Sequence, residues 1–321
     1  MASMVSTPDM TYRPLGRSGL MVSRVGVGCN AFGARIDAEQ TQAVVDAAIE
    51  VGITLFDTAD IYGRGESEEL LGRALGARRG DVVVATKFGM DMQGDNGPDW
   101  GARGSRRYIR KAVEASLRRL GTDWIDLYQL HEPDPVTPIS ETLAALHELV
   151  LEGKVRTVGC SNFAAWQVAD ADWTARTSGY ERFISAQNKY SLLDRDVEDE
   201  LVPACEALGL GVLPFFPLEY GLLTGKYRRG QAAPDGSRLQ QQTARLESAD
   251  WDAIEAVEGF AGERGVSVLD VAIGGLAAQP AVASVIAGAT RPEQVYANAA
   301  AGAWEPTLED LAALDAITTQ A

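Results

Sequence analysis

Eight short apolar runs recur along the 321-residue chain, mostly at roughly thirty-residue intervals. They are Val25 to Gly28, Ile53 to Phe56, Val82 to Ala85, Ile125 to Leu130, Val155 to Gly159, Phe183 to Ala186, Gly211 to Pro214 and Val282 to Ile286. Each ends in a break containing Gly, Asp, Asn or Ser. Between the runs lie segments with apolar residues at helical spacing, among them Asp37 to Val51, Ser67 to Leu75, Ser105 to Leu120, Thr137 to Leu151, Asp196 to Leu208 and Trp251 to Arg264. Strand and helix alternating in this way predict an α/β fold, a (β/α)8 TIM barrel. A doubly wound sheet is the alternative, but Gly26-Val27-Gly28-Cys29-Asn30-Ala31-Phe32-Gly33 lacks the GxGxxG spacing of its first turn. Two short runs around Gly16-Arg17-Ser18-Gly19 predict a short N-terminal β-hairpin that plugs one end. No linker-like composition break occurs, so residues 1–321 read as a single domain.

The net charge of -16 opposes nucleic acid or an anionic membrane as partner. Met1 to Tyr12 lacks a basic region followed by an apolar one, and no stretch approaches eighteen apolar residues, so the chain reads as cytoplasmic. Cys29, Cys160 and Cys205 have no CxxC spacing and the two histidines are His131 and His147, so no metal cluster is expected.

In such a barrel the carboxyl ends of the strands carry the chemistry. Reading the positions after each run gives Cys29 and Asn30, Asp57, Lys87, His131, Ser161 and Asn162, Gln187 and Asn188, Phe215, and Gly288 with Thr290. The stretch Thr54-Leu55-Phe56-Asp57-Thr58-Ala59-Asp60-Ile61-Tyr62-Gly63 stops an apolar run at an acid and follows it with a tyrosine. Lys87 is one of five lysines among 29 basic residues, and lysine differs from arginine in being a point charge with a movable pKa. A tyrosine hydroxyl becomes a workable acid or base near neutrality if a cation such as Lys87 stabilises its phenolate. Asp57 would pair with Lys87 and keep it charged, and His131 would hydrogen-bond a substrate carbonyl or relay a proton. Such a site moves protons only, so reduction would need a nicotinamide cofactor at the same barrel mouth. The Gly-rich, polar segments 89–104 and 219–250 are candidate substrate loops or lids.

The stretches FDTADIYGRGESEELLG, VVVATKFG and DLYQLHEPDP, with LVLEGKVRTVGCSNF, QNKYSLLDR, GLLTGKY and IAGATRPEQVYANAAA, make the chain resemble the aldo-keto reductases over essentially its whole length. The resemblance implies Asp57, Tyr62, Lys87 and His131 as the catalytic set. It also implies that Ser161, Asn162 and Gln187 hold the nicotinamide carboxamide and that Phe215 stacks on the ring. Leu218, Gly221 and Leu223 would lie along the pyrophosphate, with Gly288, Thr290, Arg291, Gln294 and Asn298 around the adenosine phosphate end. Cys29 and Asn30, at the first strand end, are placed with the cofactor-binding positions.

There are departures from the family pattern. Phe216 stands where many members have a serine, and the lysine-serine pair that other members set on the 2′-phosphate is replaced by Gly288-Ala289. That leaves Arg291, helped by Thr290, to read the phosphate, so NADPH is expected over NADH, with NADH possible. The tail after Trp304 is short and has no aromatic residue, which predicts an open substrate pocket. The expected activity is hydride transfer between NAD(P)H and a small-molecule carbonyl, an aldehyde, ketone or sugar. Two other readings stay open: Schiff-base lyase chemistry at Lys87, and a slowly exchanging, redox-sensing accessory protein like the channel β subunits of the superfamily.

Overall fold

The computed structural model describes residues 10–318. Residues 1–9, part of the stretch read for a leader, lie outside the described residues. Strands β1 (Tyr12–Pro14) and β2 (Met21–Ser23) pair antiparallel as the expected hairpin. Eight parallel strands follow: β3 (Val25–Gly28), β4 (Leu55–Asp57), β5 (Val83–Phe88), β6 (Ile125–Leu130), β7 (Val155–Ser161), β8 (Phe183–Gln187), β9 (Gly211–Val212) and β10 (Val285–Gly288). They hydrogen-bond in the order β10-β3-β4-β5-β6-β7-β8-β9. The ring closes between its ends, where Val212 bridges Val282 and the Ile286 N–H donates to the Pro214 carbonyl at 3.1 Å. This is the (β/α)8 arrangement.

The helices wrap the outside as α1 (Ala38–Glu50), α2 (Glu66–Leu75), α3 (Arg106–Leu120), α4 (Ile139–Leu151), α5 (Ala165–Ser178), α6 (Leu201–Leu208), α7 (Thr243–Glu247), α8 (Trp251–Arg264), α9 (Val268–Ala277), α10 (Pro292–Ala301) and α11 (Leu308–Thr318). Their ends follow from local sequence. Asp37 and Gln40 form a reciprocal capping box at α1, and Ser105 caps α3, which stops at Gly121 in the left-handed region. No helix among the described residues is long and apolar enough to cross a membrane.

Two apolar layers result. Outward-facing strand residues such as Val84, Tyr128 and Val158 pack under the helices, while Leu55, Val83, Ala85, Leu127, Leu213 and Ile286 fill the barrel interior. Leu15 and Val22 from the hairpin join this inner cluster, so the plug is built from the same burial, each such side chain contributing about 1.5–3 kcal/mol. Gly16 sits at the hairpin tip with φ +58, and a Cβ there would meet the Ile184 carbonyl oxygen at 2.5 Å. With one end sealed, the opposite strand ends are left for chemistry.

Candidate active site

Asp57 ends β4 and Lys87 lies near the end of β5, the neighbouring strand. Both are buried, Lys87 completely. The Lys87 Nζ donates to Asp57 Oδ2 at 2.7 Å, to the Thr58 carbonyl at 2.8 Å and to the Tyr62 hydroxyl at 3.4 Å. The other Asp57 oxygen accepts from Gln187 Nε2 at 2.8 Å and from Gln129 Nε2 at 3.4 Å. A buried ion pair survives desolvation only when its remaining lone pairs are met, and here both carboxylate oxygens are engaged. Gln129 was not legible as a site residue, because a polar residue within Ile125–Leu130 has no distinguishing pattern.

Burial lowers the Lys87 pKa, but Asp57 and Tyr62 outweigh it and the net shift is upward, so the ammonium stays charged. Burial raises the Tyr62 pKa more strongly than Lys87 lowers it, with Asp57 adding to the rise. The net shift is upward in spite of Lys87, so the hydroxyl keeps its proton at neutral pH. Burial, then Lys87, pushes the His131 pKa down to about 3, leaving a neutral imidazole. His131 stands edge-on to the Tyr62 ring at 5.9 Å between centroids, and its buried Nδ1 has no partner among the described residues.

Tyr62 opens a tight turn in which Gly63, Arg64 and Gly65 all have positive φ. For Arg64 this costs about 1–2 kcal/mol, and its guanidinium is held by both oxygens of Asp95, at 2.8 and 2.9 Å, and by Gln93. The 89–104 segment therefore clamps the tyrosine turn from outside. None of its residues lines the cavity, contrary to its reading as a substrate loop.

Behind Lys87 lies a second buried polar group. Asp60 donates its N–H to the Lys87 carbonyl and accepts from Asn96 at 3.2 Å, while Glu68 accepts from Thr86 and Arg119, each at 2.6 Å. Burial, then the neighbouring Glu68, raises the Asp60 pKa to about 8. The folded chain thus holds this proton where the unfolded chain releases it near pH 4, so the contribution of Asp60 to stability falls as pH rises from about 4 to about 8. Asp60→Asn keeps a neutral amide there and flattens the decline; melting scans across that range that give parallel curves for wild type and variant count against a protonated Asp60.

In front of Tyr62 opens a cavity of about 710 Å³, bounded at its floor by Asp57, Tyr62 and His131. Its wall includes Asn30, Ser161, Asn162, Gln187, Phe215, Leu218, Gly221, Gly288, Thr290, Arg291, Gln294 and Asn298. Two expected wall residues lie behind it. Cys29 is fully buried under the strand end, and Leu223 packs with Phe260 and Val271 beneath α8 and α9. The 219–250 segment does reach the cavity, through Tyr220, Gly221, Thr224, Lys226 and residues 234–238. Phe216, φ +53, packs on Phe215 and Tyr220, and Arg238 lies over the rings of Phe216 and Tyr220 at 5.1 and 4.9 Å. Lys226, Arg238 and Arg35 on this wall escaped the sequence reading, since each sits in a polar loop. No described residue of α11 lines the cavity.

Three amides and hydroxyls on the wall are arranged in a complementary way. Asn162 spends its amide N–H groups on the His131 carbonyl and Ser161 Oγ, and Gln187 spends one on Asp57. Their carbonyl oxygens, the Ser161 hydroxyl hydrogen and the second Gln187 N–H thus remain for a ligand, two acceptors and two donors.

The chain matches the model of the "Aldo/keto reductase family" over residues 24–319. It is 36% identical over 299 residues to a "Probable voltage-gated potassium channel subunit beta" of Oryza sativa subsp. japonica, covering 90% of each chain. Over 294 residues it is 37% identical to the "Uncharacterized oxidoreductase YrpG" of Bacillus subtilis, covering 89% of each. A "Versiconal hemiacetal acetate reductase" of Aspergillus parasiticus is 37% identical over 298 residues, 82% of this chain and 84% of that one. With a matching family model over nearly the whole barrel and relatives of this closeness, the chain belongs to the aldo/keto reductase family.

Proposed function

We propose that the chain is an NAD(P)H-dependent reductase of small carbonyl compounds in which Tyr62 is the general acid. The observation that carries this is the Lys87 ammonium, bonded at once to Asp57, Thr58 and the Tyr62 hydroxyl at the cavity floor. A nicotinamide held in this cavity would supply the hydride. This chain's residues do the rest. Tyr62 gives its proton to the carbonyl oxygen as negative charge develops there. Lys87, 3.4 Å away, stabilises the phenolate left behind, and Asp57, Gln187 and Gln129 hold Lys87 in place. Neutral His131 orients the carbonyl without competing as an acid.

The donor set fits the cofactor. Two acceptors at Asn162 and Gln187, with donors at Ser161 and Gln187, match a carboxamide with its NH₂ and its carbonyl oxygen. Lys226, Arg238 and Arg291 line the same cavity in a chain of net charge -16, where cations gathered in one place call for an anion such as a phosphate. Schiff-base chemistry is disfavoured, because a nucleophilic lysine must be neutral and Lys87 is held charged. Steady oxidation of NADPH on adding a simple aldehyde is the expected result. Slow cofactor exchange with negligible carbonyl turnover would instead favour the accessory-protein reading, which the channel-subunit relatives keep in play.

NADPH is expected to bind more tightly than NADH, by a modest margin. Arg291 caps the start of α10, but it is 67% exposed and already 3.6 Å from Glu293. Solvent and that carboxylate discount its pull, so Arg291→Ala should weaken NADPH about tenfold, the low end for a charge-assisted contact. NADH should change less than about threefold, for want of the phosphate. Fluorescence titration of both cofactors checks this, and equal weakening of both would mean Arg291 does not read the phosphate.

A further inference from the structure

The cavity wall carries a guanidinium that the cofactor contacts above do not use. Arg35 lies in the loop after β3, and that loop is fixed. The Cys29 N–H donates to the Asp57 carbonyl at 2.8 Å, and the Ala31 carbonyl accepts from the N–H groups of Ala34, Arg35 and Ile36. Phe32 and Ile36 are buried and bridge one another. Gly33, φ +75, packs so closely on the helix that follows the tyrosine turn that a Cβ would meet Glu66 Cγ at 2.6 Å. The backbone of Arg35 is thereby braced against the turn that carries Tyr62, and its side chain lines the same cavity as Tyr62 and His131.

The charges around it are unusual for this chain. Although 45 residues are acidic, no carboxylate pairs with the Arg35 or Arg238 guanidinium among the described residues. Each instead feels the other or its own burial: burial lowers the Arg35 pKa, and burial followed by Arg35 lowers that of Arg238. Arg238 at least rests on the faces of Phe216 and Tyr220. Among the described residues Arg35 has no such support. Arg35 is exposed and Arg238 half-buried, and two like charges brought near each other without a counter-ion are less stable than the same pair with an anion between or beside them. Lys226, Arg238 and Arg291 line the part of the cavity assigned to the cofactor phosphates, whereas Arg35 lies in the loop after β3 that packs against the tyrosine turn and the start of α2 through Phe32 and Gly33.

We propose that Arg35 is a specificity-determining residue that binds a carboxylate on the substrate, so that the preferred substrates are carbonyl compounds with an anionic group remote from the carbonyl. This rests on the reductase reading above and names its substrate class. A planar guanidinium meets a carboxylate with two parallel hydrogen bonds, which a lysine or an uncharged amide cannot reproduce. The acidic remainder of the surface would slow the approach of such substrates and make the local positive wall the feature that admits them.

The test compares 4-carboxybenzaldehyde with its methyl ester, which differ in charge and little in shape, in wild type and Arg35→Gln. The wild type should prefer the acid in kcat/KM, and the ratio of acid to ester should fall at least about tenfold in the variant, as for the loss of one charge-assisted contact. In parallel, terephthalate, which cannot be reduced, is titrated by calorimetry into protein saturated with NADP+, and NADPH affinity is measured for both proteins. Terephthalate should bind the wild type and weaken at least about tenfold in the variant. Where both aldehydes are turned over, an unchanged ratio overturns the proposal while the reductase reading stands. An unchanged ratio with weakened NADPH binding also overturns it, and gives Arg35 to the cofactor. Where neither aldehyde is turned over the reductase reading fails, and the terephthalate titration decides alone: loss of binding in Arg35→Gln sustains the anion site, and equal binding or none overturns it.

Discussion

Tyr62→Phe lowers carbonyl turnover by roughly 10²–10⁴-fold or more, the ordinary worth of a positioned general acid, and leaves NADPH affinity within a few-fold. The substitution removes one oxygen. The ring stays, and with it the edge-on contact with His131 and the Lys87 ammonium 5.0 Å from its centroid, so the fold and the cofactor wall are not disturbed. Lys87 loses its longest hydrogen bond, 3.4 Å, and keeps the two short ones. The loss should therefore fall on kcat with little change in melting temperature. Because burial holds the Tyr62 pKa above its ordinary value, the wild type should keep its reducing activity through neutral pH and lose it only as the phenol ionises in the alkaline range. His131, neutral down to about pH 3, contributes no step between pH 5 and 8. Stopped-flow or steady-state reduction of an aldehyde by both proteins checks this; a variant retaining more than a tenth of wild-type turnover would assign the proton to another group.

The barrel was legible because its two periods are written in the sequence: apolar runs short enough for strands, then helical spacing, repeated. The strand limits were displaced by one to three residues. Lys87 and Phe88 continue β5, and Ser161 continues β7, because backbone pairing with a neighbour, not hydrophobicity, decides where a strand stops. The floor of the site was legible for a different reason. Asp57, Lys87 and His131 are ionisable residues at the ends of apolar runs, where burial without a purpose is costly. The rest of the wall was not, since loop conformation is set by contacts distant in sequence. The 89–104 segment looked like a lid, yet Arg64 and Asp60 bind it through Asp95 and Asn96 and turn it into a brace. Lys226 and Arg238 have no distinguishing pattern in the sequence, and they line the cavity because the 219–250 segment reaches it, with Arg238 over the rings of Phe216 and Tyr220. Cys29 and Leu223 went the other way, into the core, because small or aliphatic side chains beside a strand end or helix are as readily buried as displayed.

Lys87→Met abolishes activity and also lowers the melting temperature by several degrees. Lys87 is completely buried and contributes three donors to Asp57, Thr58 and Tyr62, so its loss leaves a carboxylate in a dry site with only the amides of Gln187 and Gln129. Removing one partner of such a pair typically costs about 3–5 kcal/mol, most of it from the stranded charge. The stability loss should then be repaired by removing that charge. Adding Asp57→Asn to Lys87→Met replaces the carboxylate by a neutral amide and should restore much of the melting temperature, while activity stays absent because nothing stabilises the phenolate. That separation distinguishes a buried ion pair from mere packing of the lysine stem, which Asp57→Asn could not repair. Lys87→Arg is expected to keep the charge and still fail, since the planar head is too large for a site that holds one nitrogen 2.7 Å from Asp57 and 2.8 Å from the Thr58 carbonyl. Thermal melts of the three variants beside aldehyde turnover decide the matter: an unchanged melting temperature in Lys87→Met would mean that water, not Lys87, satisfies Asp57.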